Sequence, residues 1–432
     1  MDFLSDIHLT SGPVVWFAWL AGITGLGYLL WRRESRWPVK VLISIAAAAG
    51  AVVSVHWLLL YVFAVFPEPL PSEVLAWSVP AVAALVLFLA RLPRSAWRAR
   101  TLSTLSMLAV VLLTAVQINA YFGLNRTVSD FLGTAVARVP PLEPALMARD
   151  GGPPLRDLAT WRPHGEPADG GVLRTAHIPA PASGFTARDA YIYLPPAYLD
   201  PQRPVLPVLV LYAGQPGGPA DWLTGGMLRA HMDRFAAQHH GIAPVVVVVD
   251  PNGSANGNTL CMDSRIAKVD TYLSQDVPNW ITQNLDVGKD HRNWAAGGFS
   301  FGGTCALQMV TRHPDVFNSA LSFSGEREPA LAKERQKTVE AAFDGDVAAF
   351  DAQTPLNIMG KQRFDANAIF LGAGAGDQEF VSYLEELSAA AQKAGFAVDT
   401  KVVANTGHSW EATAGSLPQA LDFMALRWGI PS

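Results

Sequence analysis

Ser300 stands at the centre of Gly298-Phe299-Ser300-Phe301-Gly302. An apolar stretch, Trp294 to Gly297, precedes it, and a helix-compatible run, Thr304 to Thr311, follows. This is the pattern of strand, tight turn and helix that lifts a serine hydroxyl above a sheet, the nucleophile elbow. Glycine is needed two residues to either side because strand and helix backbones nearly touch there. The five-residue pattern alone recurs by chance. Its weight comes from an acid and a histidine that follow in a usable order.

A free serine hydroxyl is a weak nucleophile and needs an adjacent base. His408, in Thr406-Gly407-His408-Ser409-Trp410, is the candidate, because it alone of ten histidines sits in a Gly-flanked loop after the final strand. His313 reads as a surface or cap residue, His231 and His239-His240 as solvated, and His291 as part of a charged loop. The acid is expected after the penultimate strand, where Gly372-Ala373-Gly374-Ala375-Gly376 leads into Asp377. Glu379 is the alternative, and a simple helix N-cap is the competing role for Asp377. Such an acid orients the imidazole and stabilises the imidazolium formed in the transition state. An oxyanion hole needs two backbone N–H groups. Phe301, next after the nucleophile, is expected to supply one. The turn Tyr212-Ala213-Gly214-Gln215-Pro216-Gly217-Gly218 supplies the other, from Gln215, since Pro216 has no N–H.

These groups need a frame. Ala190–Leu194, Val205–Tyr212, Pro244–Asp250, Trp294–Phe299, Val316–Ser322, Ala368–Leu371 and Thr400–Val403 read as strands, several of them continuously apolar as in strands buried on both faces. Leu273–Asn284, Phe380–Ala394 and Pro418–Trp428 read as helices. The alternation predicts an α/β fold, a parallel sheet with helices on both faces, whose reactive groups gather at the carboxyl ends of the strands.

The order Ser…Asp…His is that of the α/β-hydrolases. From about Arg174 to Trp428 the chain resembles their esterase-D-like branch, and within it the mycolyltransferases. The carrying pieces are Ala190-Tyr191-Ile192-Tyr193-Leu194-Pro195, Thr271-Tyr272-Leu273 running into Asp276-Val277-Pro278-Asn279-Trp280-Ile281, Gly298 to Gly303, and His408-Ser409-Trp410. The resemblance implies acyl-ester chemistry through a serine acyl-enzyme, with an ester substrate, water or an alcohol as acceptor, and no cofactor. The chain departs from that pattern at Ala213-Gly214, where esterase-D proteins carry His-Gly. The mycolyltransferases use a glutamate as the acid, which keeps Glu379 open. They also carry charged residues at the oxyanion turn, and Tyr212 to Gly218 has none.

The first half of the chain is of another kind. Of 432 residues 50% are hydrophobic and 16% charged, and the apolar excess lies in four runs, roughly Pro13–Trp31, Val41–Phe66, Val74–Ala90 and Leu102–Phe122. Each approaches the ~20 residues a bilayer-spanning helix needs. Arg32, Arg33, Arg36 and Lys40 mark the first loop, and Arg91, Arg94, Arg98 and Arg100 the third. The second loop, Pro67 to Glu73, and the amino terminus carry no positive residue. The positive-inside rule then puts both termini, and everything after Phe122, outside the cytoplasm. The lone His56 reads as a packed interior residue. The expected organisation is a four-span transmembrane region, 1–123, a Pro/Gly-rich linker, 124–171, with a short amphipathic helix over Arg126–Val139, and an α/β-hydrolase domain, 172–432.

Net charge is −5 and no basic stripe appears, which argues against a nucleic-acid partner. No metal-ligand spacing or phosphate-binding glycine loop is present. Outside the cytoplasm oxidation is permitted, so Cys261 and Cys305 are expected either to pair across the nucleophile loop or to remain two buried thiols. The reading is a membrane-anchored extracytoplasmic serine esterase or acyltransferase, with cell-envelope lipids among its candidate substrates. Its rivals are a catalytically silent hydrolase fold used as a membrane-tethered binding module and, more weakly, a transporter with an appended domain.

Overall fold

A computed structural model describes residues 7–93, 95–149, 154–165 and 168–431. The chain divides into two compact units, Met1–Ala135 and Val136–Ser432.

The first unit is a bundle of four helices, α1 (Pro13–Leu30), α2 (Trp37–Trp57, prolonged by a π-helical turn at Leu58–Val62), α3 (Ser72–Arg91) and α4 (Trp97–Phe122). All four are long and apolar enough to cross a membrane. Small residues bring the helices together: a Cβ built on Gly25 of α1 would meet the Ser106 carbonyl oxygen of α4 at 2.7 Å. Arg91 is buried at the end of α3. Its guanidinium donates to the Tyr28 carbonyl at 2.6 Å and to that of Trp31, and it lies over the rings of Tyr28 and Trp37. A buried cation is thus spent on the carbonyls that α1 leaves open at its end. After α4 the expected amphipathic helix is two short turns instead, Val128–Phe131 and Thr134–Ala137, parted at Gly133, whose φ is 66°.

The second unit is built on eight strands: β1 (Val172–Ala176), β2 (Ala190–Leu194), β3 (Val208–Tyr212), β4 (Val245–Val249), β5 (Trp294–Phe299), β6 (Ser319–Phe323), β7 (Ala368–Gly374) and β8 (Ala397–Val403). Their order is β1-β2-β4-β3-β5-β6-β7-β8. β2 runs antiparallel to both its neighbours, and all pairings from β4 to β8 are parallel. Valines and leucines fill β3 and β4, every residue of which is buried, as a sheet covered on both faces requires. The helices that matter for the site are α5 (Leu228–Gln238), α6 (Val277–Asn284), α7 (Phe301–Arg312), α8 (Gln378–Ala394) and α9 (Trp410–Trp428). Register sets Tyr212 beside Gly298, Phe299 beside Phe323, Phe323 beside Gly372, and Gly374 beside Val403. The loops leaving β3, β5, β6, β7 and β8 therefore rise side by side.

Several local expectations change. β1 was not anticipated. The helix expected from Leu273 opens as a π-helical turn, Tyr272–Asp276, before α6. α9 starts at Trp410 rather than Pro418, so Pro418 lies inside it. His231, expected to be solvated, is buried on the inner face of α5. The stretch 124–171 is divided between the units, and its later part is laced to the second. There Arg149 pairs with Asp286 at 2.9 Å, the Leu142 N–H donates to the Thr175 carbonyl at 2.8 Å, and the Trp161 indole donates to the Gln202 carbonyl at 2.7 Å.

Candidate active site

Ser300 sits between β5 and α7 with φ 55° and ψ −121°. A non-glycine residue held there carries strain on the order of 1–3 kcal/mol. Close backbone packing holds it. A Cβ on Gly298 would lie 2.2 Å from the Gly302 carbonyl carbon, and one on Gly302 would lie 2.3 Å from the Tyr212 carbonyl oxygen. The Ser300 N–H donates to the Phe323 carbonyl at 2.8 Å, tying the turn to β6.

The other two groups reach Ser300 through a second seam. The Gly376 N–H donates to the Thr406 carbonyl at 2.8 Å and the Ala375 N–H to the Val403 carbonyl at 2.9 Å. The chains touch so closely that a Cβ on Gly374 would lie 2.3 Å from the Gly407 carbonyl oxygen. This lacing fixes Asp377 and His408 as a pair. His408 Nδ1 lies 2.8 Å from Asp377 Oδ2, and His408 Nε2 lies 2.9 Å from Ser300 Oγ. Asp377 occupies the N-cap position of α8, yet its side chain makes no capping bond; it is turned to the imidazole. The ring of His408 is flanked by Phe380 and Phe299, centroids 4.2 and 5.1 Å away, and Trp410 packs on Phe299 in turn. All three polar residues are largely shielded from water.

Glu379 makes different bonds. It accepts from the Tyr383 hydroxyl at 2.6 Å and from Lys333 Nζ at 3.1 Å. Partial burial works against its charge. The Tyr383 hydroxyl and the Lys333 ammonium outweigh that effect and hold the carboxyl below its ordinary value.

Phe301 is the first residue of α7, so its N–H belongs to the open amino end of a helix beside Ser300. The turn after β3 lies on the same spot: a Cβ on Gly214 would sit 3.5 Å from the Ser300 Cβ. Gln215 follows directly. Several bonds fix this turn. The Gly217 N–H donates to the Ala255 carbonyl at 2.8 Å, the Gly218 N–H to Asp221 Oδ2 at 2.8 Å, and the Trp222 indole to the Tyr212 carbonyl at 2.9 Å. Burial raises the Asp221 carboxyl above its usual range, and the Gly218 N–H and Arg188 pull against that rise.

Cys261 and Cys305 form a disulfide with their Cα atoms 5.5 Å apart. It joins the segment after β4 to α7, the helix that follows Ser300. Gln308 Nε2 donates to the Leu260 carbonyl at 2.8 Å, and Arg312 donates to the Cys261 carbonyl at 2.6 Å, fastening the same seam. His313, read as a cap, closes α7 with Nε2 2.9 Å from Asp270. Burial alone would raise Asp270, but its bond to His313 and the charge of Arg312 bring it below its ordinary value.

Sequence reasoning did not find Arg188 and Asp250, which meet beside the turn after β3. Asp250 had a signal: a carboxylate ending a run of five valines at a strand's carboxyl end. Arg188, 62 residues away in the chain, had none.

The model of the family described as "Putative esterase" matches residues 186–424. An uncharacterised protein of Corynebacterium glutamicum is 35% identical over 415 residues, 92% of each chain. A shorter stretch of 76 residues is 37% identical to the diacylglycerol acyltransferase/mycolyltransferase Ag85B of Mycolicibacterium smegmatis, covering 18% of this chain and 22% of that one. Among solved structures, a ferulic acid esterase superposes with a TM-score of 0.50 at 19% identity, over 60% of this chain and 99% of its own. An S-formylglutathione hydrolase from Agrobacterium tumefaciens gives 0.50 at 18% identity, over 61% and 97%. These two share the fold. With its family model matched over more than half its length, the chain belongs to the esterase family, on an α/β-hydrolase sheet preceded by four apolar helices.

Proposed function

We propose that the chain is a membrane-anchored serine esterase or acyltransferase working through an acyl-enzyme on Ser300. The observation that carries this is the unbroken line from Ser300 Oγ through His408 to Asp377, with gaps of 2.9 and 2.8 Å. Ser300 Oγ attacks the ester carbonyl while His408 Nε2 takes its proton. Asp377, bonded at Nδ1, stabilises the imidazolium. The N–H groups of Phe301 and Gln215 receive the oxyanion. His408 then returns the proton to the departing alcohol. Water resolves the acyl-enzyme in hydrolysis, and a second alcohol resolves it in transfer.

The working parts are 1–123 as the anchor, 124–171 as the connector and 172–432 as the catalytic domain. The charge of the loops orients the anchor so that the catalytic domain is extracytoplasmic. Similarity to a diacylglycerol acyltransferase/mycolyltransferase, together with the anchor, favours long-chain esters of the cell envelope as acyl donors. Turnover of p-nitrophenyl esters of graded chain length, with and without added sugar or lipid alcohols, tests this. The reading expects ester cleavage that Ser300→Ala abolishes and acyl products on the alcohol if transfer competes with water. Wild-type and Ser300→Ala proteins equally inert on every ester contradict it.

A further inference from the structure

The Arg188 guanidinium bridges two elements of the site. Its Nε donates to Asp250 Oδ2 at 2.8 Å and its Nη2 to Asp250 Oδ1 at 2.8 Å, a two-pronged grip on a carboxylate with no exposed surface. The Arg188 backbone N–H donates to the same Oδ2 at 2.8 Å. Nη2 also donates to the Gly217 carbonyl at 3.0 Å, in the turn that follows β3. The guanidinium presses on the next residue as well, since a Cβ on Gly218 would meet Nη1 at 2.6 Å. Asp250 directly follows β4 and Arg188 precedes β2, so the bridge ties the turn to the ends of two strands outside it.

With Asp250 wholly buried and Arg188 half-buried, the pair is a poor source of stability, because desolvating the carboxylate offsets much of the attraction. A planar guanidinium that satisfies a carboxylate and a carbonyl together does fix positions, however. Gly217 lies two residues beyond Gln215, across Pro216, and the residue before Gln215, Gly214, packs on Ser300. We infer that Arg188 is a positioning residue of the oxyanion hole: clamped by Asp250, it holds the Gly217 carbonyl and thereby the Gln215 N–H over the developing charge. This rests on the acyl-enzyme reading above.

The test uses the full chain in detergent with p-nitrophenyl butyrate, and a trifluoromethyl ketone as a mimic of the tetrahedral intermediate. Arg188→Lys keeps a cation for Asp250 but lacks the second in-plane donor. We expect it to melt within a few degrees of wild type, to lose about 10²-fold in kcat with KM within about threefold, and to lose ketone affinity in step with kcat/KM. Arg188→Ala, where it folds, should regain part of its kcat with millimolar guanidinium. Arg188→Lys alone decides the matter where it does not. A kcat within threefold of wild type, a change in KM alone, or a lower kcat with unchanged ketone affinity each overturns the inference. Ser300→Ala runs in parallel. If it still turns over the ester, the acyl-enzyme reading fails. If it is dead while Arg188→Lys is fully active, only the role of Arg188 fails.

Discussion

The two units of this chain differ in what they leave on the outside. In the bundle, Trp16, Phe17, Leu20, Leu42, Ile43 and Phe63 face outward, while Ala18, Ala48, Ala83 and Ala84 lie inside. In the esterase unit, Trp222, Trp294, Tyr212 and Phe317 are wholly enclosed. Large apolar residues on the outside suit helices packed in hydrocarbon, where small residues allow close backbone contact, and the bundle's interior adds Leu29, Trp37 and Leu87 to its alanines. Large residues inside suit a sheet in water. The same contrast governs the polar groups. The bundle encloses Arg91 against carbonyl oxygens, a structural use of charge. The esterase unit lines up a serine, a histidine and an aspartate, the arrangement proposed here to do chemistry.

The sharpest way to separate the units is to remove chemistry from one without touching the other. Ser300→Ala or His408→Ala should lower ester turnover by on the order of 10⁴–10⁶ while leaving membrane extraction and melting unchanged. Asp377→Ala should cost about 10²–10⁴ in kcat, and Glu379→Ala less than about threefold. A reversal of that pair, read in the same steady-state assay, would move the acid to Glu379. Next in size is the cross-link. Opening the 44-residue separation of Cys261 and Cys305 by Cys305→Ser should cost the esterase unit about 4 kcal/mol by the chain-entropy account. Denaturant titration followed by tryptophan fluorescence measures it, and the bundle's helicity in detergent should not change.

The bundle has its own weak point. Gly25→Leu places a side chain where the Ser106 carbonyl already lies, and should cost about 1–3 kcal/mol in helix packing with kcat unaffected in detergent. The smallest effect depends on pH. Asp270 is held below its ordinary value in the folded protein. Its contribution is therefore complete above about pH 4 and is lost as pH falls through the lowered folded value. Asp270→Asn should thus destabilise most at neutral pH, with the gap from wild type closing toward pH 3. A gap that widens on acidification would reverse the sign assigned here.

The reactive loops were more legible in the sequence than the frame around them. Gly298 and Gly302 flank Ser300 where strand and helix backbones nearly touch, and the Gly-rich run before Asp377 reports a backbone seam where a side chain would collide. Such steric demands leave a mark on residue type. β1 left none: Val172-Leu173-Arg174-Thr175-Ala176 is an edge strand, half-buried throughout, with neither an apolar run nor clean alternation. Pro418 misled because proline favours a helix's first position. Inside α9 it forgoes one backbone bond, and packing of the surrounding Leu417, Ala420 and Leu421 outweighs that loss. The Arg188–Asp250 bridge was hidden for a third reason, since nothing local records a partner 62 residues away in the chain. The cysteine pair was half-visible: two cysteines allow one disulfide, but only folding brings their Cα atoms within 5.5 Å.

The central claim is that Ser300 is a nucleophile activated by His408. A fluorophosphonate probe on the intact protein, followed by peptide mass spectrometry, tests it most directly. The account predicts one adduct, on the Ser300 hydroxyl, absent from Ser300→Ala and greatly slowed in His408→Ala. An adduct on another residue, or labelling that survives the loss of Ser300, would contradict it.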